Sequence, residues 1–378
     1  MNERASRVLL FESSVIQLSA SGCDLISPRT GCQMLPHLIA LAGLLAPIQP
    51  ASHRAPTHQI RHIMVHRGVE LEVLDWGGRG PALIFLAGFG NTGHVFDGFA
   101  PQFTNTHRVI ALTRRGFGTS SHPRTGYDTR TLVSDIIGVL DSLRIPRATF
   151  VGHSFAGSEL NYLGASVADR VARLIYLDAS YDFPRLYADS IWRNAFPIPR
   201  PPLPVSADTL ARRRWFTSIV GPGLPEDEIV ALRSAATSPD LSKQLQNGAA
   251  SSNRRAIGAP VLALWAAPRS VEDQYPYFTS LNAREGARLQ DSFVAQESVR
   301  GEHLTAFQVA LPGARVIKVT GGRHYLFLSH PQQVADAMRT FLASSLLFHH
   351  PRSHRPPLVD HRALERIEEQ TAQVSRHI

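Results

Sequence analysis

From about residue 60 onward, the spacing of apolar and polar positions predicts strands and helices that alternate along the chain. Residues 60–65 and 69–75 alternate with a period of two, as in a pair of strands. Short apolar runs predict further strands at 82–87, 108–112, 148–152, 172–177, 260–266 and 315–319. Helical patterns occur at 129–143, from Phe155 onward, at 281–311 and at 331–345. This order predicts an α/β fold with a mostly parallel, eight-stranded sheet and helices on both faces.

After Asp178, two insertions interrupt the alternation of strands and helices. The first is rich in proline at 183–204 and has helical spacing thereafter. We expect residues 180–256 to form a helical cap, aided by a helical insertion at 270–312. Both insertions follow late strands, so we expect the cap to lie over the carboxyl edge of the sheet, where ligands bind in open α/β folds.

The two ends of the chain differ from the predicted α/β domain at 56–346. Residues 38–46 read LIALAGLLA, which has the length of the apolar region of a signal peptide. We therefore expect residues 1–55 to be a targeting segment and the protein to be exported. The alternative is an amphipathic N-terminal helix on a cytoplasmic protein, and Met34 is an alternative start. Residues 347–378 are polar and rich in His and Arg, and they predict a loosely attached tail.

Composition narrows the function classes. The chain has 378 residues, of which 43% are hydrophobic and 19% are charged, as in a globular protein with a sizeable core. No apolar run reaches the roughly 20 residues that a membrane-spanning helix needs. The net charge of +8 comes almost entirely from arginines spread along the chain, so no nucleic-acid partner is expected. The two cysteines, Cys23 and Cys32, both precede the predicted domain, which leaves no thiol nucleophile or cysteine metal site in the core.

The segment VGHSFAG at 151–157 carries the most specific chemical signal. It follows a predicted buried strand and precedes a predicted helix. A serine on such a turn projects its hydroxyl above the sheet only if the residues two before and two after it are small. Gly152 and Ala156 meet that requirement, so Ser154 is predicted to be a nucleophile on a sharp strand-to-helix turn.

A serine nucleophile needs a base, and the order expected for this kind of fold is serine, acid, histidine. His324 lies on a Gly-rich loop after the last predicted strand, in GGRHYLFLSHP. That position allows it to reach over the sheet edge toward Ser154. His330 is the competitor within the same segment, and position favours His324.

The acid that would orient His324 is ambiguous in the sequence. The usual place, after strand 260–266, holds Arg269, which cannot serve, while Glu272 and Asp273 follow three and four residues later. The other place is the end of the preceding core strand, where Asp178 stands, with Asp182 further out. Asp178 is preferred because a strand terminus is a rigid position, and Glu272 and Asp273 stay as alternatives.

Two backbone N–H groups are predicted to bind the oxyanion of a tetrahedral intermediate. One belongs to Phe155, the residue after the nucleophile. The other belongs to Phe89, on the loop LAGFGNTGHVF after strand 82–87, where Gly88 lets the backbone come close.

These segments, together with TRRGFGTS at 113–120, occur in the order seen in the α/β-hydrolase superfamily, and the chain resembles its esterase and haloperoxidase-like branch over residues 60–345. The resemblance implies triad roles for Ser154 and His324 and oxyanion roles for the N–H groups of Phe89 and Phe155. It also implies that 113–120 is a structural loop beside the serine turn.

The chain departs from that pattern in two places. Ala87 stands where a histidine often opens the oxyanion loop, which leaves the backbone donor intact. Arg269 stands where the acid is commonly found, which puts the acid assignment in doubt.

The predicted function is hydrolysis of a small-molecule carboxylic ester, or a related acyl bond, through an acyl-enzyme, with no metal or organic cofactor. A serine at this position argues against chemistries that run through an alkyl ester on an aspartate. The aromatic residues of the predicted cap favour a hydrophobic acyl or alcohol group, and the alternative is that they form the core of the cap. The alternative function is a ligand-sensing protein that keeps the fold and turns over slowly.

Overall fold

This computed structural model describes residues 58–195, Glu228, 239–251 and 253–344. The strands are β1 Gln59–His66, β2 Val69–Gly77, β3 Ala82–Leu86, β4 Arg108–Leu112, β5 Ala148–His153, β6 Val171–Leu177, β7 Val261–Ala267 and β8 Arg315–Thr320. The helices are α1 Thr129–Ser142, α2 Ala156–Ser166, α3 Phe183–Ala188, α4 Ser190–Ala195, α5 Pro239–Gly248, α6 Val271–Gln274, α7 Ala283–Ala310, α8 Leu326–Ser329 and α9 Pro331–Ala343. Short 3-10 turns also occur, two of them between β3 and β4.

The eight strands form one sheet in the order β1-β2-β4-β3-β5-β6-β7-β8. β1 pairs antiparallel with β2, and β2 pairs antiparallel with β4. Every other neighbouring pair is parallel. The predicted fold class, a mostly parallel eight-stranded sheet with flanking helices, is therefore confirmed.

Central strands carry continuous apolar runs because both of their faces are covered. In β3, Leu83 and Phe85 point to the face that α9 covers, where Met338 and Phe341 pack. Ile84 and Leu86 point to the opposite face, which α1 and α2 cover. The strand period of two thus divides one apolar run between two cores.

The bounds of the elements differ from the predicted ones by at most two residues, and local geometry explains where two of the helices begin. Helix α7 begins at Ala283 because Asn282 is its N-cap, with the side-chain oxygen accepting from Glu285 N–H at 3.0 Å. Helix α2 begins at Ala156 because Ser154 has a φ of +53°, which no helical residue adopts.

The described part of the predicted cap at 180–256 contains α3, α4, α5, a 3-10 turn at Arg254–Ala256 and the single residue Glu228. Glu228 is fully buried and accepts hydrogen bonds from Asn91 Nδ2 at 2.9 Å and from Thr92 N–H at 3.0 Å. It therefore joins the segment predicted to form a cap to the loop that follows β3. The predicted targeting segment 1–55 and tail 347–378 lie outside the described residues and stay predictions.

Within the described residues, no helix has the length and apolar character needed to cross a bilayer.

Candidate active site

Ser154 lies at the carboxyl end of β5 on a turn that is strained for any residue with a side chain. Its φ of +53° is in the left-handed region, and Ser154 N–H donates to the carbonyl oxygen of Leu177 on β6 at 3.2 Å. A Cβ at Gly152 would come within 2.8 Å of Leu160 and 3.1 Å of the Ala156 Cβ, so only glycine fits there. This is the close packing that the sequence motif predicts.

Three side chains from three loops form one hydrogen-bonded line. His324 Nε2 is 2.9 Å from Ser154 Oγ, and His324 Nδ1 is 2.7 Å from Asp178 Oδ2. Asp178 follows β6 directly and, like Ser154, has a positive φ, of 44°. The His324 side chain is 37% exposed whereas Asp178 is 1% exposed, so the line is enclosed at Asp178 and more open toward Ser154.

Asp178 is held as an anion by its surroundings. Burial by itself raises the pKa of this carboxyl, but the Arg300 guanidinium and the hydrogen bond from His324 outweigh it, and the pKa lies below its usual value. An ionised carboxylate can only accept hydrogen bonds, so the His324 proton sits on Nδ1. Nε2 is then free to accept the Ser154 hydroxyl proton.

His153 lies beside the line, with its ring 4.7 Å from that of His324. Burial lowers the pKa of His153 to about 3, so this histidine is neutral. Its Nε2 is 3.1 Å from the carbonyl oxygen of His324 and donates to it, which helps to fix the loop that carries His324.

The other candidates from the sequence have different partners. Asp273 accepts from Arg269 Nε at 2.8 Å and from its N–H at 2.9 Å, and the adjacent Glu272 is exposed. Asp182 caps α3, and His330 Nδ1 contacts Ser329 Oγ at 3.1 Å. Among the described residues, only Asp178 has a carboxylate hydrogen-bonded to His324.

The loop after β3 lies against Ser154. A Cβ at Gly88 would be 2.8 Å from His153 Nδ1 and 3.1 Å from Ser154 Cβ. Phe89 follows Gly88 in the chain, and it lines the same cavity as Ser154. Neither Phe89 N–H nor Phe155 N–H donates a hydrogen bond to any acceptor among the described residues, which leaves both available to an oxyanion.

The loop 113–120 supports this arrangement through Arg114. The buried guanidinium donates from Nη2 to the carbonyl oxygen of Ala87 at 2.9 Å and lies over the Phe155 ring. It also pairs with Glu159 on α2 at 2.7 Å. The Arg114 side chain thus links the loop after β3 to α2.

A cavity of about 410 Å³ opens onto Ser154 and His324. Its described apolar wall comes from the cap, from α7 and from the loop after β3: Phe89, Phe183, Leu186, Tyr187, Trp192 and Phe293. The charged groups in the wall, Asp178, Glu297 and Arg300, are hydrogen-bonded to one another. The described wall therefore favours an uncharged, apolar ligand.

One group of metal-type side chains occurs among the described residues. His58, His94 and Asp97 place ligand atoms within 4.8 Å of one another. Asp97 already pairs with His94 Nδ1 at 3.0 Å and lies 3.5 Å from His58 Nδ1. None of the three is among the described residues that line the cavity at Ser154.

Arg300 was not identified from the sequence. Arg114 was covered only as part of the loop 113–120, for which a structural role was predicted. Arg300 lies in the apolar stripe of α7, four residues after Gln296 and four before Leu304, both buried. An arginine at a buried position of a helical stripe requires a partner, and that requirement was the available signal.

The sequence of this chain is similar to a family model and to several known enzymes. A family model described as "Alpha/beta hydrolase family" matches residues 83–337. Esterase YbfF of Escherichia coli is 26% identical over 254 residues, which cover 64% of this chain and 85% of that protein. A non-heme chloroperoxidase of Streptomyces lividans is 32% identical over 115 residues, or 30% of this chain and 42% of that protein. A soluble epoxide hydrolase of Corynebacterium is 31% identical over 32% of this chain and 41% of that protein.

The matched segments thus span half or less of several of these relatives, as the chloroperoxidase and epoxide hydrolase illustrate. Among solved structures, the esterase RhEst1 from Rhodococcus superposes with a TM-score of 0.54 at 22% identity, covering 75% of this chain and 98% of that one. E-2-(acetamidomethylene)succinate hydrolase gives the same TM-score at 21% identity, covering 76% and 100%. At such identities the superpositions describe the fold alone.

Proposed function

The chain belongs to the alpha/beta hydrolase family, and we propose that it is a serine hydrolase that cleaves a carboxylic ester, or a related acyl bond, through an acyl-enzyme on Ser154. The observation that carries the proposal is the continuous line from Ser154 Oγ through His324 to Asp178, with separations of 2.9 and 2.7 Å. This is the geometry in which a neutral imidazole can activate a serine hydroxyl.

Acylation would begin when Ser154 Oγ attacks the substrate carbonyl carbon and its proton passes to His324 Nε2. The carbonyl oxygen becomes an oxyanion and accepts from the N–H groups of Phe89 and Phe155. The C–O bond to the alcohol breaks, and the alcohol leaves with the proton from Nε2. Asp178 stabilises the imidazolium that exists between these two transfers.

Deacylation would repeat the same steps with water. His324 Nε2 takes a proton from the water as its oxygen attacks the acyl carbon. The bond to Ser154 Oγ then breaks, Oγ regains the proton, and the carboxylic acid leaves. Each proton that His324 accepts is returned within the same half-reaction.

The nucleophile also limits which of the relatives' activities can apply. An alkyl-enzyme ester forms on a carboxylate, whereas a serine hydroxyl forms an acyl ester from a carbonyl substrate. Ser154 therefore supports acyl transfer over epoxide hydrolysis, the reaction that the name of the Corynebacterium relative describes. The apolar cavity wall supports an uncharged ester with a hydrophobic group. The cavity volume of about 410 Å³ lies within the roughly 300–1,000 Å³ range of small-ligand sites.

Reaction of the purified protein with a fluorescent fluorophosphonate tests the proposal. We expect the wild type to be labelled and the Ser154→Ala variant not to be labelled, because only an activated serine attacks phosphorus at neutral pH. Ser158→Ala, four residues along and buried in α2, is the matched control and should keep its labelling. A folded wild type that is not labelled would contradict the proposal and favour the ligand-sensing alternative.

A further inference from the structure

Arg300 is a buried cation directly behind the proposed acid. It lies on α7, with its side chain 7% exposed, and its Nη2 donates to Asp178 Oδ1 at 3.1 Å and to the Ala266 carbonyl oxygen at 2.7 Å. Its Nε donates to Tyr181 Oη at 2.8 Å. The guanidinium therefore contacts the carboxylate oxygen that His324 does not use.

The guanidinium is fixed from every side. Its Nη1 donates to the carboxylate of Glu297, one turn earlier on α7, and its Cζ lies 4.9 Å from the centre of the Trp265 ring. All three nitrogens thus have protein partners. Arg300 is for this reason suited to hold a neighbouring group in place rather than to bind a substrate.

Asp178 Oδ1 receives a complete set of donors as a result. Besides Arg300, it accepts from Tyr181 Oη at 3.2 Å and from Ala266 N–H at 3.2 Å. Oδ2 is left to face His324 Nδ1. These contacts fix the rotation of the carboxylate, and through it the direction of the imidazole.

Few other charged groups lie near Asp178 and His324. His153 and Tyr325 contact the His324 ring, and Tyr181 contacts Asp178, but burial lowers the pKa of His153 and raises those of both tyrosines, so all three are neutral. Arg323, next to His324, donates from Nε to the Asp273 carbonyl oxygen. The charges facing Asp178 and His324 from α7 are those of Arg300 and Glu297.

We propose that Arg300 is a positioning residue for His324 that acts through Asp178, and that the opposite charges of Arg300 and Glu297 together set the pH dependence of Ser154 activation. A cation in contact with Asp178 disfavours the uptake of a further proton by the hydrogen-bonded line behind Ser154. Glu297 offsets part of that effect from the other side of the guanidinium. The inference rests on the proposed function, because it concerns the same serine and histidine.

The test is the second-order rate of fluorophosphonate inactivation, measured against pH, for the wild type and four variants. Removing the cation in Arg300→Met should move the acidic limb of the profile to higher pH by about one unit. Removing the opposing anion in Glu297→Gln should move the limb to lower pH by less than that. The opposite signs distinguish an electrostatic role from a loss of packing, which would lower the plateau without moving the limb.

Two further variants serve as controls. Arg300→Lys keeps the charge and loses the planar set of donors, so its limb should stay near that of the wild type while its plateau falls. Arg300→Met/Glu297→Gln removes both charges, and its limb should lie between those of the two single variants. If Arg300→Met does not fold, the shift of Glu297→Gln carries the test, since Glu297 is 29% exposed.

The proposal is overturned if the limbs of folded Arg300→Met and Glu297→Gln both coincide with that of the wild type. It is also overturned if Arg300→Lys shifts as far as Arg300→Met. Failure of the proposed function has a separate signature, which is absence of labelling in the wild type at every pH.

Discussion

The side chains of Arg114 and Glu159 form a two-pronged ion pair that is 6% and 3% exposed, with N···O distances of 2.8 and 2.7 Å. Arg114 comes from the loop after β4, and Glu159 lies on α2, the helix that begins after Ser154. Because Arg114 also donates to the Ala87 carbonyl oxygen, the pair joins the loop that carries Phe89 to the helix behind Ser154.

We expect Arg114→Met to lower the free energy of unfolding by about 3–5 kcal/mol, because it leaves the Glu159 carboxylate buried without its cation. The double variant Arg114→Met/Glu159→Leu should lose less than that, since no uncompensated charge remains. Urea denaturation of both variants measures the difference. A double variant less stable than Arg114→Met would contradict the ion-pair explanation.

Gly88→Ala should reduce fluorophosphonate labelling about a hundredfold, the size of effect expected when one oxyanion donor is misplaced. The added Cβ would meet His153 Nδ1 at 2.8 Å and push the Phe89 loop away from Ser154. Gly98→Ala is a control ten residues along the same connection between β3 and β4, because a Cβ there has no neighbour within 4 Å. Equal losses in both variants would show that the connection, and not the approach to Ser154, is sensitive.

Asp178→Asn should reduce the inactivation rate by roughly 10³–10⁴-fold, because an amide neither fixes the His324 tautomer nor stabilises its charged form. Asp273→Asn and Glu272→Gln should keep the wild-type rate, since neither carboxylate reaches His324. The three variants are compared at the plateau pH. A slow Asp273→Asn with a normal Asp178→Asn would reverse the assignment of the acid.

The apolar wall predicts a preference for longer acyl groups. For p-nitrophenyl esters, kcat/KM should rise roughly threefold to fourfold per added methylene until the cavity is filled, which corresponds to about 0.8 kcal/mol for each buried CH₂. Leu186→Trp fills part of the cavity and should move the optimum to shorter chains. An unchanged optimum in that variant would show that the acyl group lies elsewhere.

His94 predicts a pH-dependent contribution to stability. Hydrogen bonds to Asp97 and Glu72 raise its pKa from 6.5 to about 10. Because the folded-state pKa is the higher one, the stabilisation is complete below pH 6.5 and is lost as the pH rises through 10. His94→Gln should thus be less stable than the wild type at about pH 6 and close to it at about pH 10.5. Urea denaturation at both values measures this, and an equal gap at both would refute it.

The sheet and its connections could be predicted from the sequence because their signals are local. Buried runs such as 148–152 and the small residues around Ser154 report strand and turn directly. The same local rules favoured Ser154 and His324 over their competitors. Their actual separation, 2.9 Å between Oγ and Nε2, depends on how two loops lie across the sheet, and no local pattern contains it.

The acid stayed open at the level of sequence because three carboxylates had acceptable positions. The carboxylates are distinguished by their hydrogen-bond and ion-pair partners. Arg269 and Asp273 are four residues apart and pair with each other, which removes Asp273, whereas Arg300 reaches Asp178 across 122 positions of sequence. Long-range pairing of this kind can be read only from the structure, although a buried arginine on α7 signals that such a partner exists.

The wide spacing of the three proposed groups has a consequence for biosynthesis. Ser154 and His324 are 170 positions apart, and β7 and β8 must join the sheet before the loop between β8 and α8 can deliver the imidazole. While a ribosome is still translating the segment before β8, the nucleophile therefore exists without its base. Any hydrolysis by the emerging polypeptide would begin only after this edge of the sheet is complete, so the appearance of activity during translation would report the addition of β7, β8 and the loop that carries His324.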